Sequence, residues 1–199
     1  MDDMISNLPL SLALLILLAV FYGIDFGFMS RYDRDRQQGK GWSWDYTLST
    51  LGAALVIVLQ PRLWPRLGWW TASPFGLAVQ ILGIAGALAS FIVHAWSRLH
   101  LQKFYAERVE VQSDHEVIQS GPYALVRHPV FASFFLFSIG LFLLNPALPT
   151  ALALLYTAWD FTRAARQEEA LLSKKLPEYA AYMRRVPRFI PSLRRGKRD

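Results

Sequence analysis

The chain has 199 residues, 53% of them hydrophobic, with 21 Lys and Arg against 15 Asp and Glu, a net charge of +6 and no cysteine. The absent thiol excludes a disulfide framework, a thiolate metal site and a cysteine nucleophile. The basic balance does not point to nucleic acid, because the Lys and Arg gather between long uncharged runs, as they do in cytoplasmic loops facing anionic lipid.

The first such run, Leu8 to Met29, has the roughly 20 apolar residues that a helix needs to cross a bilayer, and Asp25 alone charges it. The preceding MDDM is acidic and no small-residue cleavage site follows, so a retained span is expected in place of a signal peptide. RYDRDRQQGKG then forms a short basic loop. Tyr46 to Leu59 is a second apolar run, with Trp42 and Trp44 as its interfacial belt. PRLWPRLGWW, residues 61–70, mixes proline, arginine and tryptophan as a turn at headgroup depth does. A third run, Pro74 to Trp96, places Gly83 four residues from Ala87 and Gly86 four from Ser90, a pattern that admits another helix closely. His94 and His100 flank Trp96 at the end of this run and are expected at the interface.

From Ser97 to Arg127 the chain is polar. Pro129 to Leu144 and Leu148 to Phe161 are apolar again, joined by NPALP, which predicts a tight reversal and a helical hairpin. The end is amphipathic and basic. The tail cations Arg194, Arg195, Lys197 and Arg198 are expected at headgroups, and Tyr179 and Tyr182 are expected to pack the terminal helix on the membrane face. The expected fold is all-α, a polytopic membrane protein of about five transmembrane segments, with a cytoplasmic pocket. It forms one domain over 1–199, divided into N-terminal spans (1–73) and a core (74–199). The Lys and Arg bias predicts an outside N-terminus and a cytoplasmic C-terminus.

One stretch stands apart. In GPYALVRHPVF, residues 121–131, Pro129 suits a first helical turn and makes His128 the residue that caps it. Free N–H groups at such a helix start favour an anion. The hairpin returns its far end, with Arg163, Arg166, Gln167, Glu168 and Glu169, to the same membrane depth. Ionisable groups so near the bilayer are functional candidates by default. Taken alone, the glutamates also fit a solvated face paired with Arg163 and Arg166.

GPYALVRHPVF, then QEEALL, then LPEYAAYMRRVPRFIP resembles the C-terminal signature of the isoprenylcysteine carboxyl methyltransferase family, over about residues 91–191. The resemblance implies an integral-membrane enzyme that transfers a methyl group from S-adenosyl-L-methionine to a lipophilic acceptor, such as the carboxylate of an isoprenylcysteine. It implies that His115, Glu116, Val117 and Ile118 line the adenosine side and that Tyr123 packs on the cofactor. By the same likeness His128, Pro129, Val130 and Phe131 hold its methionine part, and Glu168 or Glu169 supplies a carboxylate, with Glu168 favoured. Arg163 is the favoured contact to the acceptor, with Arg166 as the alternative. Phe131 departs from the family's tyrosine, and Leu176-Pro177 from its Phe-Gly.

No strand-Gly-x-Gly-helix unit is visible, so no soluble nucleotide-binding domain is expected. No three histidines stand at metal-ligand spacing, so no metal is expected. Two other readings share parts of the pattern: an NADPH-dependent membrane reductase of the sterol type, which has a similar Arg-His-Pro element, and a non-enzymatic membrane scaffold. The Glu-Glu pair followed by Tyr-x-x-Tyr and Pro favours the methyltransferase.

Overall fold

The computed structural model describes residues 8–32, 44–63, 73–101 and 117–192. All regular structure among them is helical: α1 (Leu8–Tyr32), α2 (Trp44–Leu63), α3 (Pro74–Leu101), a single 3₁₀ turn (Gly121–Ala124), α4 (Pro129–Leu144), α5 (Leu148–Lys175) and α6 (Pro177–Arg185). Proline opens α3, α4 and α6, at positions where its missing N–H has no helical partner to lose. Ser73 adds a cap to α3 by accepting the Gly76 N–H at 3.0 Å.

Leu8–Phe28 of α1 and the whole of α3 are long and apolar enough to cross a bilayer, while Thr50–Leu63 and Pro129–Leu144 are apolar but shorter. Large apolar side chains on the outer faces lie bare, among them Ile16 (60% exposed), Ile92 (71%) and Leu155 (66%). A surface so rich in exposed apolar groups is stable against lipid and not against water.

Inside, Leu14, Leu17, Leu18 and Phe21 of α1 meet Ile57 of α2, Ala87 of α3, and Phe137, Leu141 and Leu144 of α4. Phe21 stacks on Phe137 with ring centres 4.2 Å apart. The tightest pair is α3 with α4. A methyl on Gly83 would fall 2.6 Å from the Leu144 nitrogen, and one on Gly140 would fall 2.7 Å from both Ala87 N and Gly83 O. The small-residue spacing at Gly83 and Ala87 therefore does what the sequence predicts, and Gly140 is its counterpart on α4.

The reversal at NPALP is held by one hydroxyl. Thr150 shares its proton between the carbonyls of Asn145 (2.7 Å) and Ala147 (2.9 Å) and accepts the Ala147 N–H at 3.1 Å. The Asn145 side-chain amide donates to Gln60 at 2.6 Å, tying the hairpin to α2. α4 and α5 thus run antiparallel and carry their polar ends to one side.

Two expectations need correction. His94 is not interfacial: it is fully buried, because Asp25 of α1 and Ser133 of α4 converge on its two ring nitrogens. Tyr179 and Tyr182 do not face the membrane either. They are buried against Leu172 of α5, and the Tyr182 hydroxyl donates to the Tyr123 carbonyl at 2.7 Å. The Tyr182 hydroxyl finds its polar partner inward, not at the membrane face.

Candidate active site

The site forms where four segments meet: the 3₁₀ turn, the start of α4, the polar half of α5, and the chain from α6 to residue 192. Gly121 begins it with φ of +56°, a left-handed conformation that side chains other than glycine adopt at a cost. The His100 ring of α3 also occupies the space where a Cβ would stand. Tyr123, buried, follows in the turn, and Pro129 then starts α4.

Glu169 is the hub. It is 6% exposed. Its Oε1 accepts from Arg127 Nε at 3.0 Å, His128 Nε2 at 3.1 Å and Arg188 Nε at 3.0 Å, and its Oε2 accepts from Arg188 Nη2 at 2.6 Å. Burial favours its neutral form, but the hydrogen bonds from His128 and Arg188 and the charge of Arg127 hold its carboxyl far below the usual range. Arg127 reaches further, donating to the carbonyls of Met183 (2.7 Å) and Val186 (2.6 Å). The backbone N–H groups of Arg127 and His128 donate to Pro187 and Arg188. The segment after α6 is thereby strapped across the Arg-His-Pro turn.

His128 is buried between both glutamates, with Nδ1 3.4 Å from Glu168 and Nε2 3.1 Å from Glu169. Burial disfavours its charged form, yet the bonds to Glu168 and then Glu169 outweigh that and raise its pKa above the ordinary value. Phe131 stacks on the ring at 5.4 Å, almost parallel.

Glu168 is placed differently. Its side chain is 34% exposed and forms part of the wall of a small cavity, about 50 Å³, with Leu101, Val117, Ile118, Tyr123, Arg127, Leu172, Leu176, Tyr179 and Tyr182. Burial raises the pKa of both tyrosines, so they stay neutral there. The cavity is mostly apolar and aromatic, with Glu168 and Arg127 as the charged groups in its wall.

Arg163 and Arg166 stand on another face of α5. They line a groove of about 580 Å³ with Ala158, Trp159, Thr162 and Gln167, and the Arg163 guanidinium lies 5.7 Å from the Trp159 ring centre. Five residues separate Arg163 from Glu168, which turns them about 140° apart around the helix.

The family model of isoprenylcysteine carboxyl methyltransferase matches residues 81–174, from α3 to the end of α5. The chain is 30% identical over 152 residues to protein-S-isoprenylcysteine O-methyltransferase B of Arabidopsis thaliana, covering 73% of each protein. The chain belongs to the isoprenylcysteine carboxyl methyltransferase family. It is also 31% identical over 162 residues to the Homo sapiens protein-S-isoprenylcysteine O-methyltransferase, 79% of this chain and 55% of that one. Another relative is the cobalt-zinc-cadmium resistance protein CzcN of Cupriavidus metallidurans, 32% identical over 133 residues, 65% of this chain and 56% of that one. The chain spans about half the length of these last two.

Of the residues that the family likeness singles out, Val117, Ile118, Tyr123 and Glu168 gather on the cavity, and His128, Pro129, Val130, Phe131 and Glu169 gather beside it. Arg163 lies apart on the outer groove. His115 and Glu116 lie outside the described residues. Arg188 escaped the sequence reading although it stands inside VPRFIP, because nothing in a basic tail marks one arginine as the partner of a buried glutamate.

Proposed function

We propose that this protein is a multi-pass membrane methyltransferase that uses S-adenosyl-L-methionine to methylate a lipophilic acceptor, the carboxylate of an isoprenylcysteine-like molecule. The observation that carries the reading is the meeting of the Arg-His-Pro turn and the Glu-Glu pair at a cavity in a chain of this family. The relatives named for O-methylation of S-isoprenylcysteine supply the acceptor class. The Lys and Arg bias supports about five embedded segments, with the site and C-terminus in the cytoplasm.

The chemistry of the lining suits the donor, although a cavity of about 50 Å³ must widen to admit it. Val117, Ile118, Leu172, Tyr179 and Tyr182 offer apolar and aromatic walls for an adenine, and Glu168 offers a carboxylate to an amine or ribose hydroxyl. When bound, S-adenosylmethionine supplies an electrophilic methyl group on a cationic sulfur. The protein's work is alignment and exclusion of water. His128, Pro129, Val130 and Phe131 take the amino-acid end, with the positive end of the α4 dipole toward its carboxylate. Glu169 holds Arg127, His128 and Arg188 in place. The exposed guanidinium of Arg163 is suited to grip the acceptor's carboxylate. That acceptor is ionised at neutral pH and needs no general base, which agrees with a site built of glutamates, arginines and one histidine.

Calorimetry of the detergent-purified protein with S-adenosylhomocysteine and, separately, NADPH tests the reading. Binding of the first and not the second is expected; the reverse refutes it. Glu168→Gln is expected to weaken donor binding, and Arg163→Ala to leave donor binding intact while lowering turnover.

A further inference from the structure

A second cluster of ionisable groups lies inside the helical bundle, apart from the glutamates. Asp25 of α1 accepts from His94 Nε2 at 2.9 Å and from the Arg98 guanidinium, both on α3. His94 Nδ1 lies 2.8 Å from the Ser133 hydroxyl of α4. The Ser133 hydroxyl also lies 2.6 Å from the Val130 carbonyl, so it bridges the His94 ring to the backbone of α4. His94 and Ser133 are fully buried, and Arg98 is 3% exposed. Charged groups in an apolar bundle are costly unless paired, and they persist where they have a task.

We propose that this cluster positions the first turn of α4, and with it His128, for donor binding, so that α1 is a working part of the site and more than an anchor. Two contiguous routes connect it to His128. One is the hydrogen-bonded chain Asp25, His94, Ser133, Val130, which ends on the carbonyl two residues after His128. The other is a run of ring contacts: His94 on Phe134 (5.4 Å), Phe134 on Phe161 (4.9 Å), Phe161 on Phe131 (4.9 Å), and Phe131 on His128 (5.4 Å). Packed rings and buried hydrogen bonds transmit displacement because they have no free volume in which to absorb it. The inference rests on the donor reading above for its consequence, though not for its geometry.

Ser133→Ala is the discriminating variant. It cuts the link to α4 while leaving Asp25, His94 and Arg98 together to hold α1 on α3. Ser138→Ala is its control: Ser138 lies on the same helix and bonds Thr157 at 3.1 Å. The chain has four histidines, so the ring resonances of ¹⁵N-histidine-labelled protein in micelles are few, and those of His128 are assigned by loss in His128→Gln. Ser133→Ala is expected to shift the His128 resonances and weaken S-adenosylhomocysteine binding by about twofold to thirtyfold, the span of measured couplings between linked sites. Ser138→Ala is expected to do neither. Unmoved His128 resonances in Ser133→Ala, or equal shifts in the control, overturn the proposal. If the wild type binds no S-adenosylhomocysteine, the donor reading fails, and the His128 resonances still decide the positioning claim.

Discussion

Replacing Glu169 by glutamine tests whether this carboxylate organises the site or merely occupies it. The substitution keeps size and one acceptor oxygen but removes the only charge that Arg127, His128 and Arg188 all contact. Arg127 and His128 are buried, at 11% and 4% side-chain exposure, whereas Arg188 at 32% retains solvent. Arg127 therefore loses its counterion while His128 keeps only Glu168, and removing one partner from a buried pair costs about 3–5 kcal/mol. The more exposed Arg188 adds little, about 0–1 kcal/mol. At roughly 2–4 °C per kcal/mol for a chain of this size, the midpoint of unfolding falls by about 6–20 °C. Thermal unfolding in micelles, followed by size-exclusion of the surviving folded protein, gives the shift directly. Glu168→Gln, whose side chain is one-third exposed, is expected to stay within about 2 °C of wild type. A Glu169→Gln protein as stable as Glu168→Gln would refute the hub.

Three further outcomes are expected. Gly121→Ala forces a non-glycine residue into the left-handed region, at about 1–2 kcal/mol, and drives its methyl into the His100 ring; a melting point lowered by several degrees checks it. Gly140→Ala sets a methyl 2.7 Å from α3 backbone atoms, which cannot yield without separating α3 from α4; overpacking of about 1–3 kcal/mol is expected, against no loss for Gly23→Ala, where a methyl meets nothing within 4 Å. The raised pKa of His128 means that its contribution to stability is fully present below the unfolded value of about 6.5 and fades as pH climbs through the higher folded value. The melting-point gap between wild type and His128→Gln is therefore expected to close between mildly acidic pH and pH 9, and a gap that widens refutes the assignment.

The helices were legible in the sequence because apolar runs and proline starts are local signals. Leu8 to Met29 and Pro74 to Trp96 fall inside α1 and α3, and Pro129 to Leu144 coincides with α4. The hairpin was legible too, since NPALP leaves few ways to continue a helix. What the sequence hid is long-range pairing. Asp25 and His94 stand 69 residues apart and Arg127 and Glu169 stand 42 apart, and no periodicity on one helix names a partner on another. His94 read as an interfacial residue because it neighbours Trp96. Only the approach of α1 and α4 from both sides makes it a buried bridge. The two adjacent glutamates were separable in principle by the 100° step between them, but which one faced inward depended on the rotation of α5, set by Ala165 and Leu172 in the same buried stripe.

That rotation bears on the chemistry. With His128 protonated, the cluster holds three cations (Arg127, His128, Arg188) and two carboxylates (Glu168, Glu169), so 3 − 2 leaves one net positive charge. Four of the five groups are joined through Glu169, and the fifth, Glu168, looks into the cavity. The charge is therefore arranged in two zones. The Arg-His-Pro side has positive charge to spare beside the helix start of α4, which favours an anionic group, and Glu168, next to His128, presents a carboxylate to the cavity, which favours a cationic one. An amphoteric amino-acid moiety that joins a carboxylate to an ammonium fits both zones in one orientation, whereas a doubly anionic phosphate would meet Glu168. Exchanging which glutamate faces inward would cancel the division. Glu168→Lys is the direct check: it makes the cavity wall cationic, and it is expected to abolish S-adenosylhomocysteine binding while sparing the fold that Glu169 maintains. Undiminished binding in a Glu168→Lys protein would remove the charge argument for the donor's orientation.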